Sequence, residues 1–574
     1  MALSKLALLA GAAGVSALVA SPLAGSQQLS ARTIDLNSQC NLPPSLDPSD
    51  DGLPHGGKLF GGKDALMKQV KRHQAIVRVP SVCYDDLGKI GEDVRWKPFD
   101  KLHSVIKETY PLVHKHAKLE KVNTYGLLYT IEGSDPSLKP TVLMAHQDVV
   151  PVADESTWTH PPFSGHFDGE FLWGRGSSDD KNSLTALMST VETMLEDPDW
   201  KPRRTLILSF GFDEECSGYR GAKEIAAVLT KRYGDDGIAV VLDEGGFGVQ
   251  NIDDVTYVLP SVMEKGHVDI WFELHVVGGH SSIPFPHTGI GIISEIVTKL
   301  EANPYKPALT KENPVYGHMA CMARYSPKEN PKITELVRQD DLQGIADELA
   351  SMDLMSNFLV QTSQAVDFIA GGVKINAMPE VTTLGVNYRV APQESIVDVQ
   401  HNVVNYIQDI VDKYGIKVNA YEGDEAYHAH AAKVGGRKAK ASAEPDYDID
   451  WKGTLKIEAR EVTQVAPVSP MEGSTWDTFS GTAQYTFNTG DNTVVPTGET
   501  MTGNTDTRHY LNLTRNVYRF TPMGKDTGGG IHTIDEHISM KAHMKVIEFY
   551  YNFIRNFDNA DLEESSKEEF FGEL

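Results

Sequence analysis

The sequence has little cysteine, a shortage of positive charge and few long apolar runs. Four cysteines in 574 residues are far too few for a disulfide-stapled scaffold. Lys and Arg together number 53 against 79 Asp and Glu, and the net charge of −26 would repel nucleic-acid phosphates and anionic lipids. Charged residues make up 23% of the chain, which argues against disorder. The length therefore indicates a globular protein with more than one domain.

The longest apolar stretch stands at the N-terminus. No charged residue occurs between Lys5 and Arg32, and residues 6–20 are continuously apolar or small. This pattern is typical of a secretory signal peptide over residues 1–25, and an uncleaved membrane anchor is the alternative. We therefore expect the chain to enter the secretory pathway.

Two further features bear on that route. Asn512 begins the glycosylation sequon Asn-Leu-Thr, which predicts a possible glycoprotein. Cys40 and Cys83 could pair in an oxidising compartment. Cys216 follows an acidic pair and is expected to be a small buried core residue rather than a nucleophile or a zinc ligand.

Strand-like and helical segments alternate from about residue 105 onward. Apolar runs at 141–145, 205–210 and 238–242 predict buried strands, and segments at 184–195 and 222–231 predict helices. This alternation predicts an α/β fold with a mostly parallel sheet and helices on both faces.

The pattern changes in the middle of the chain. Longer alternating strands at 268–277 and 381–390, with helices at 289–300 and 396–413, predict an inserted α+β domain. The predicted division is a signal peptide or anchor at 1–25, a flexible arm at 26–60, the first part of the main domain at 61–265, the inserted domain at 266–465, the second part of the main domain at 466–560, and an acidic tail at 561–574.

Acidic residues and histidines directly follow several predicted strands of the main domain. His146 and Asp148 follow the first strand, Glu214 and Glu215 the second, and Asp243 the third. Each cluster alone would more often be a solvated turn. Because ligand sites lie at the carboxyl ends of parallel strands, and buried carboxylates need a partner, their coincidence predicts a cation site.

Two other segments complete the candidate set. Asp179 lies in a Gly-rich turn before a predicted helix, where capping of the helix is the alternative role. His532 precedes the last predicted helix, which is expected from about Asp535 to Phe557. Two histidines with several carboxylates suit zinc better than calcium or magnesium.

The motifs HQDVVP, GRGSSDDK, FDEE, LDEGG and IHTIDEH stand in an order and at spacings that carry a family resemblance. From about residue 65 to 560 the chain resembles the M20 co-catalytic zinc metallopeptidases. The resemblance implies a zinc-dependent carboxypeptidase that hydrolyses the C-terminal bond of short, Gly-Xaa-type peptides, with an N-acyl-amino-acid amidohydrolase as the alternative. With the signal, it implies the vacuole lumen or vacuolar membrane, with secretion as the alternative.

The resemblance also implies two Zn²⁺ ions per subunit, joined by a bridging hydroxide. His146 and Asp243 would bind one ion, and Glu215 and His532 would bind the other. Asp179 would bridge the two ions. These three carboxylates would leave part of the metal charge to activate the hydroxide.

Further roles follow from the same resemblance. Asp148 would orient a histidine ligand, and Glu214 would be the general base. Asp179 and Asp180 would be joined by a cis peptide bond.

The inserted domain resembles the lid and dimerisation domain of the family. His280 would reach the active site of a partner copy in a homodimer and stabilise the oxyanion. Asn376 and Arg389 would contact substrate. Arg508 would hold the free carboxylate of the substrate in a bidentate fork.

Overall fold

A computed structural model describes residues 33–435 and 449–562. Within these ranges, no helix is both long enough and apolar enough to cross a membrane. The segment predicted as signal peptide or anchor lies outside them, as does nearly all of the predicted acidic tail.

The strands fall into one large sheet, one sheet in the inserted domain and three small sheets. Their bounds are β1 (Lys118–Val122), β2 (Gly126–Ile131), β3 (Thr141–His146), β4 (His166–Phe167), β5 (Phe171–Trp173), β6 (Leu206–Gly211), β7 (Val240–Asp243), β8 (Gly248–Ile252), β9 (Val255–Leu259), β10 (Ser261–Glu264), β11 (Gly266–His275), β12 (Gly279–His280), β13 (Ser363–Gly371), β14 (Ala377–Met378), β15 (Val381–Val390), β16 (Lys417–Ala420), β17 (Thr454–Thr463), β18 (Thr493–Pro496), β19 (Glu499–Met501), β20 (Val517–Arg519), β21 (Gly528–Gly529) and β22 (His537–Ser539).

The α-helices cover both faces of the large sheet and one region of the inserted domain. Their bounds are α1 (Gly56–Leu59), α2 (Lys63–Val77), α3 (Lys97–Thr109), α4 (Pro111–His116), α5 (Lys181–Met194), α6 (Ala222–Tyr233), α7 (Gly289–Glu301), α8 (Pro314–Tyr325), α9 (Pro331–Arg338), α10 (Leu342–Met352), α11 (Leu354–Val360), α12 (Ile396–Lys413), α13 (Glu425–Val434), α14 (Ser474–Phe487) and α15 (Met540–Asn559).

The large sheet has eight strands in the order β1-β2-β6-β3-β7-β20-β10-β19, and its four central strands are parallel. Successive side chains of a strand point to opposite faces. In β3, Leu143 and Ala145 pack with residues of α5 and α15, while Val142 and Met144 pack with residues of α6. The predicted α/β fold is therefore confirmed, with helices on both faces of a mainly parallel centre.

The inserted domain is built on a five-stranded sheet in the order β13-β15-β11-β17-β16. Strands β11 and β15 pair antiparallel along their whole lengths, from Gly266 opposite Val390 to His275 opposite Val381. Helices α7 and α12 pack together over the apolar face of the sheet. Strand β15 and helix α12 have the bounds that the sequence predicts.

Helices α8–α11 lie inside the predicted range of the inserted domain but form a separate apolar cluster. Helix α8 contacts β19 of the main sheet, and His318 on α8 contacts the Glu499 carboxylate there. This helical unit therefore contacts the main sheet, although its residues lie inside the range predicted for the inserted domain.

The segment from residue 33 to residue 60, for which the sequence predicts a flexible arm, packs on the main domain. Cys40 forms a disulfide with Cys321 on α8, and the Arg555 guanidinium on α15 donates to the Asp51 carboxylate at 2.6 Å. The Leu46 N–H donates to the carbonyl of Gly481 on α14. The arm thus contacts α8, α14 and α15 and links these three helices.

One predicted boundary is displaced. The last helix, expected from about Asp535, begins at Met540 because residues 537–539 pair with β5 as strand β22. This short strand joins the segment that carries His532 to the segment that leads into the Gly-rich turn.

Candidate active site

The parallel strands bring the predicted site residues to one edge of the large sheet. His146 ends β3 and pairs with Gly211 at the end of β6, and Asp243 ends β7. The turn that carries Glu214 and Glu215 follows β6 at once. The sheet topology therefore brings together residues that are up to 97 positions apart in the sequence, from His146 to Asp243.

Asp179 lies between two histidines. One of its carboxylate oxygens lies 3.0 Å from His146 Nε2, and the other lies 3.1 Å from His532 Nε2. Glu215 Oε2 also lies 3.1 Å from His532 Nε2. The peptide bond between Asp179 and Asp180 is cis, as the family resemblance implies. The donor atoms of these four side chains lie close together, and His146, Asp179 and Glu215 form one possible metal-binding set.

Asp148 connects the β3 loop to the turn of the two glutamates. Its carboxylate lies 3.3 Å from His146 Nδ1 and accepts the backbone N–H groups of Glu214 and Glu215 at 3.2 and 3.0 Å. The side chain is fully buried. A carboxylate in this position holds the ring of a histidine ligand and the adjacent turn in one geometry.

At the end of β7, Glu244 rather than the predicted ligand Asp243 lies close to His146. Glu244 Oε1 lies 3.3 Å from His146 Nε2, and it groups with His146 and Asp180 as a possible metal-binding set. Asp243 is not in either set of possible ligands found in the described part of the chain, and its Oδ2 is buried without a hydrogen-bond partner there. Sequence reasoning missed Glu244, since two adjacent acids at a strand end cannot be separated by pattern alone.

The electrostatics of the site fit a metal centre. Burial raises the pKa values of the Glu214 and Glu244 carboxyls well above their ordinary range. Burial lowers the pKa of His146, but the surrounding carboxylates outweigh it and raise that pKa well above 6.5. Hydrogen bonds to two carboxylates raise the pKa of His532 to about 10. Buried acids of this kind need a compensating cation, and the histidine nitrogens and carboxylate oxygens gathered here could hold a metal ion.

Glu214 faces a guanidinium. Arg508 Nη2 lies 4.0 Å from Glu214 Oε1, and both side chains are 12% exposed. Arg508 Nε is buried and has no hydrogen-bond partner among the described residues. Arg389 donates to Asn504 Oδ1 at 2.7 Å, and burial together with the neighbouring Arg508 lowers the pKa of Arg389. The two partly buried guanidiniums of Arg389 and Arg508 could bind an anionic group.

His280 and Asn376 lie apart from this constellation. His280 is exposed in β12, which pairs with β14, and its Nδ1 accepts the hydroxyl of Ser282 at 2.7 Å. The Asn376 carbonyl accepts the N–H of Ser281. In the described ranges no hydrogen bond or ion pair joins either side chain to the proposed metal ligands. Their role in the site therefore stays a prediction.

The cysteines pair differently from the sequence expectation. Cys83 is bonded to Cys216 and Cys40 to Cys321, so the pairing of Cys40 with Cys83 that the sequence left open does not form. Cys216 is not a free core thiol. It immediately follows Glu215, and its disulfide fixes this turn to the buried aromatic cluster around Trp96. The sequence carried no signal for this because the partners are 133 and 281 residues apart.

The predicted sequon is largely folded into the main domain. The Asn512 amide donates to Thr230 Oγ1 at 3.1 Å and to Asp235 Oδ1 at 2.8 Å. Leu513 and Thr514 are buried. A glycan on Asn512 would have to replace both hydrogen bonds, so the structure does not favour this modification of the folded chain.

The chain matches a known peptidase family over most of its length. The profile of Peptidase family M20/M25/M40 matches residues 142–556. Carboxypeptidase S of Saccharomyces cerevisiae is 41% identical over 538 residues, which are 90% of this chain and 87% of that protein. An N-fatty-acyl-amino acid synthase/hydrolase of Mus musculus is 30% identical over 84% of this chain and 86% of its own length.

A solved structure shares the fold. The di-peptidase Dug1p of Saccharomyces cerevisiae superposes with a TM-score of 0.58, covering 88% of this chain and 99% of that chain. The sequence identity is 13%, so this likeness bears on architecture alone.

Proposed function

Because this chain belongs to peptidase family M20/M25/M40 and is a metallocarboxypeptidase-type hydrolase, we propose that it releases the C-terminal residue of short, Gly-Xaa-type peptides with two zinc ions. One observation carries the proposal. The donor atoms of His146, Asp179, Glu215 and His532 converge beside Glu214, which itself lies 4.0 Å from Arg508.

The spacing of Glu214 and Arg508 supports cleavage of the last peptide bond. In a peptide, only the amide nitrogen and one α-carbon separate the final scissile carbonyl from the free carboxylate. A guanidinium that holds this carboxylate close to the general base therefore selects substrates that end there. Arg389 and Asn376 are proposed as further substrate contacts.

The metal ligands are proposed from the same geometry. Zinc ions, when bound, would lower the pKa of an attacking water and polarise the scissile carbonyl. His146, Asp179, Glu215 and His532 would hold them, and we propose Glu244 rather than Asp243 as the fifth ligand because of its 3.3 Å approach to His146 Nε2.

Glu214 has the two properties of a general base and acid. It is largely buried with a raised pKa, so its carboxylate can take a proton from water and return it to the leaving nitrogen. Asp148 holds the Glu214 N–H, and the disulfide of Cys216 anchors the same turn. The base is therefore held in place before substrate arrives.

A second candidate function is hydrolysis of N-acyl amino acids. The N-fatty-acyl-amino acid relative from mouse favours it. Both substrate classes offer the same free carboxylate to Arg508 and the same amide to Glu214, and they differ on the acyl side alone.

The deciding experiment is turnover by the zinc-loaded protein of a panel of N-blocked Gly-Xaa dipeptides and N-acyl amino acids. Product analysis identifies the preferred class, and Glu214→Gln serves as the inactive control. Hydrolysis of neither class by the zinc-loaded wild-type protein contradicts both proposals.

A homodimer through the inserted domain is proposed for the role of His280. Strand β13 lies at the edge of its sheet, and its Phe368 and Ile369 are about half exposed. Such an apolar edge is suited to pairing with a second copy. Light scattering of the purified protein tests the oligomeric state.

The proposed location is the secretory pathway, with the vacuole or the exterior as destination. All four cysteines are in disulfides, which form in oxidising compartments. Mass analysis of the N-terminal peptide of the mature protein distinguishes a cleaved signal from a retained anchor, and retention of thiols in cells contradicts the location.

A further inference from the structure

Glu536 is a buried carboxylate with no role in the proposed chemistry, and its bonding is complete. Its Oε2 accepts Arg175 Nη1 at 2.8 Å and the Gly176 N–H at 2.9 Å. Its Oε1 accepts the N–H groups of Ser178 and Asp179 at 2.9 and 3.1 Å. The side chain is 1% exposed. Hydrogen bonds to an ionised carboxylate are stronger than neutral ones, so a carboxylate with four donors holds these segments firmly together.

These bonds join two separate segments. Arg175, Ser178 and Asp179 belong to the Gly-rich turn before α5, whereas Glu536 lies in the segment between His532 and β22. Two bonds run between the same segments in addition. The Gly174 N–H donates to the Glu536 carbonyl at 2.8 Å, and Arg175 Nη2 donates to the Thr533 carbonyl at 2.9 Å. We refer to Glu536 and Arg175 as the loop clamp.

The loop clamp bonds to the backbone at or directly beside two of the proposed metal ligands, Asp179 and His532. One end of it is the N–H of Asp179, and the other is the carbonyl of Thr533, directly after His532. His532 has a φ of 58°, a left-handed conformation that a residue with a side chain seldom adopts unaided. Surrounding contacts therefore hold its backbone, and the next residue, Thr533, is bonded through its carbonyl to Arg175 and through its N–H to the Gly530 carbonyl.

We propose that Glu536 and Arg175 are positioning residues that set the separation of Asp179 and His532, and thereby the affinity and geometry of the metal site. The inference rests on the proposed function only in that this site binds divalent metal ions. Neither residue touches the metal donors with its side chain, so they act through the two loops.

Substitution of Glu536 by Gln is the sharpest change. The volume is kept, but one of the two carboxylate oxygens becomes an NH₂ group that faces N–H donors or a guanidinium. At least one buried charged hydrogen bond is then lost. The loops can move apart by a fraction of an ångström without a cavity being created.

Zinc affinity is measured by chelator competition on the metal-free protein, and Co²⁺ substituted for zinc reports ligand geometry through its visible absorption. We expect Glu536→Gln to weaken the affinity for at least one ion by about 10- to 100-fold and to alter the Co²⁺ spectrum. Arg175→Lys keeps the positive charge but not the planar guanidinium that bonds to both Glu536 and Thr533. We expect it to lose less zinc affinity than Glu536→Gln.

Asp51→Asn is the matched control. It breaks another ion pair, between the arm and α15, in which the Arg555 side chain is 1% exposed and the Asp51 side chain 17% exposed. Among the described residues neither partner contacts a proposed metal ligand. We expect this variant to unfold at a lower temperature while its zinc affinity and Co²⁺ spectrum equal those of the wild type.

The proposal is overturned if Glu536→Gln binds zinc within twofold of wild type with an unchanged Co²⁺ spectrum, or if Asp51→Asn weakens zinc binding equally. If Glu536→Gln does not fold, Arg175→Lys decides by the same two measurements. Failure of the proposed function is seen separately, because it leaves the zinc-loaded wild type inactive on both substrate classes while metal affinities are still measurable.

Discussion

The carboxyl edge of the large sheet and the β12–β14 hairpin of the inserted domain present predicted site residues in opposite ways. At the sheet edge, His146, Asp148 and Asp179 are held by several contacts each within one chain. In the hairpin, His280 is exposed and bonded to Ser282 nearby. The difference indicates that contacts within one chain hold the residues of the sheet edge, whereas the role proposed for His280 would require a second copy of the chain.

The largest effect is expected at the sheet edge. Glu214→Gln should lower kcat by about 100- to 10,000-fold, because the amide cannot accept the proton from water. Zinc content, measured by atomic absorption, should equal that of the wild type since Glu214 is not a proposed ligand. Near wild-type turnover would remove Glu214 from the role of base and weaken the contrast between the two regions.

The hairpin is tested by complementation. His280→Ala should lower kcat by about 100- to 1,000-fold if the imidazole stabilises an oxyanion. When this variant is mixed with Glu214→Gln and subunits exchange, a mixed dimer contains one site with an intact Glu214 and the partner's intact His280. Recovery of activity on mixing confirms action across a dimer, and two inactive variants that stay inactive contradict it.

A smaller effect sharpens the description of the sheet edge itself. Glu244→Gln should weaken zinc binding by at least the 10- to 100-fold typical of residues around a metal site, whereas Asp243→Asn should weaken it less. Chelator competition on both variants makes the comparison. The reverse order would return Asp243, the acid favoured by the sequence, to the ligand set.

The smallest effect concerns stability rather than activity. Burial lowers the pKa of His73 to about 4, against 6.5 for the unfolded chain. The unfolded state then binds the proton first, so the stability contributed by neutral His73 is complete above pH 6.5 and is lost as the pH falls towards 4, by about 3 kcal/mol at most.

Urea unfolding of the metal-free protein at pH 7 and pH 4.5 checks this expectation. His73→Gln should unfold with a smaller difference in free energy between the two pH values than the wild type. An equal difference in both proteins would show that His73 does not titrate with unfolding in this range.

Much of the fold was predictable because apolar periodicity is a local property. The strands at 141–146 and 381–390 and the helix at 396–413 follow directly from it. The displaced start of α15 was not predictable, since residues 537–539 become a strand by pairing with Phe171–Trp173, far away in sequence. Local pattern does not contain that partner.

The site divides in the same manner. The kind of site could be predicted because acids and histidines follow buried strands, and the carboxyl ends of parallel strands lie at one edge of the sheet. The sequence did not decide between Asp243 and Glu244, because the choice depends on which side chain points towards His146 at the end of β7. The clamp of Glu536 was also hidden, although Glu536 lies in a motif that was recognised.

By itself, therefore, the sequence determined the α/β class, the family and most of the residues that meet at the sheet edge, since these depend on residue type and local order. The tertiary structure decided the two disulfide pairings, the attachment of the arm and of α8–α11, the side chain presented to His146 and the bonds of Glu536. Each of these depends on contacts between segments 100 or more residues apart or on the direction of one side chain, for which an isolated sequence has no periodic signal.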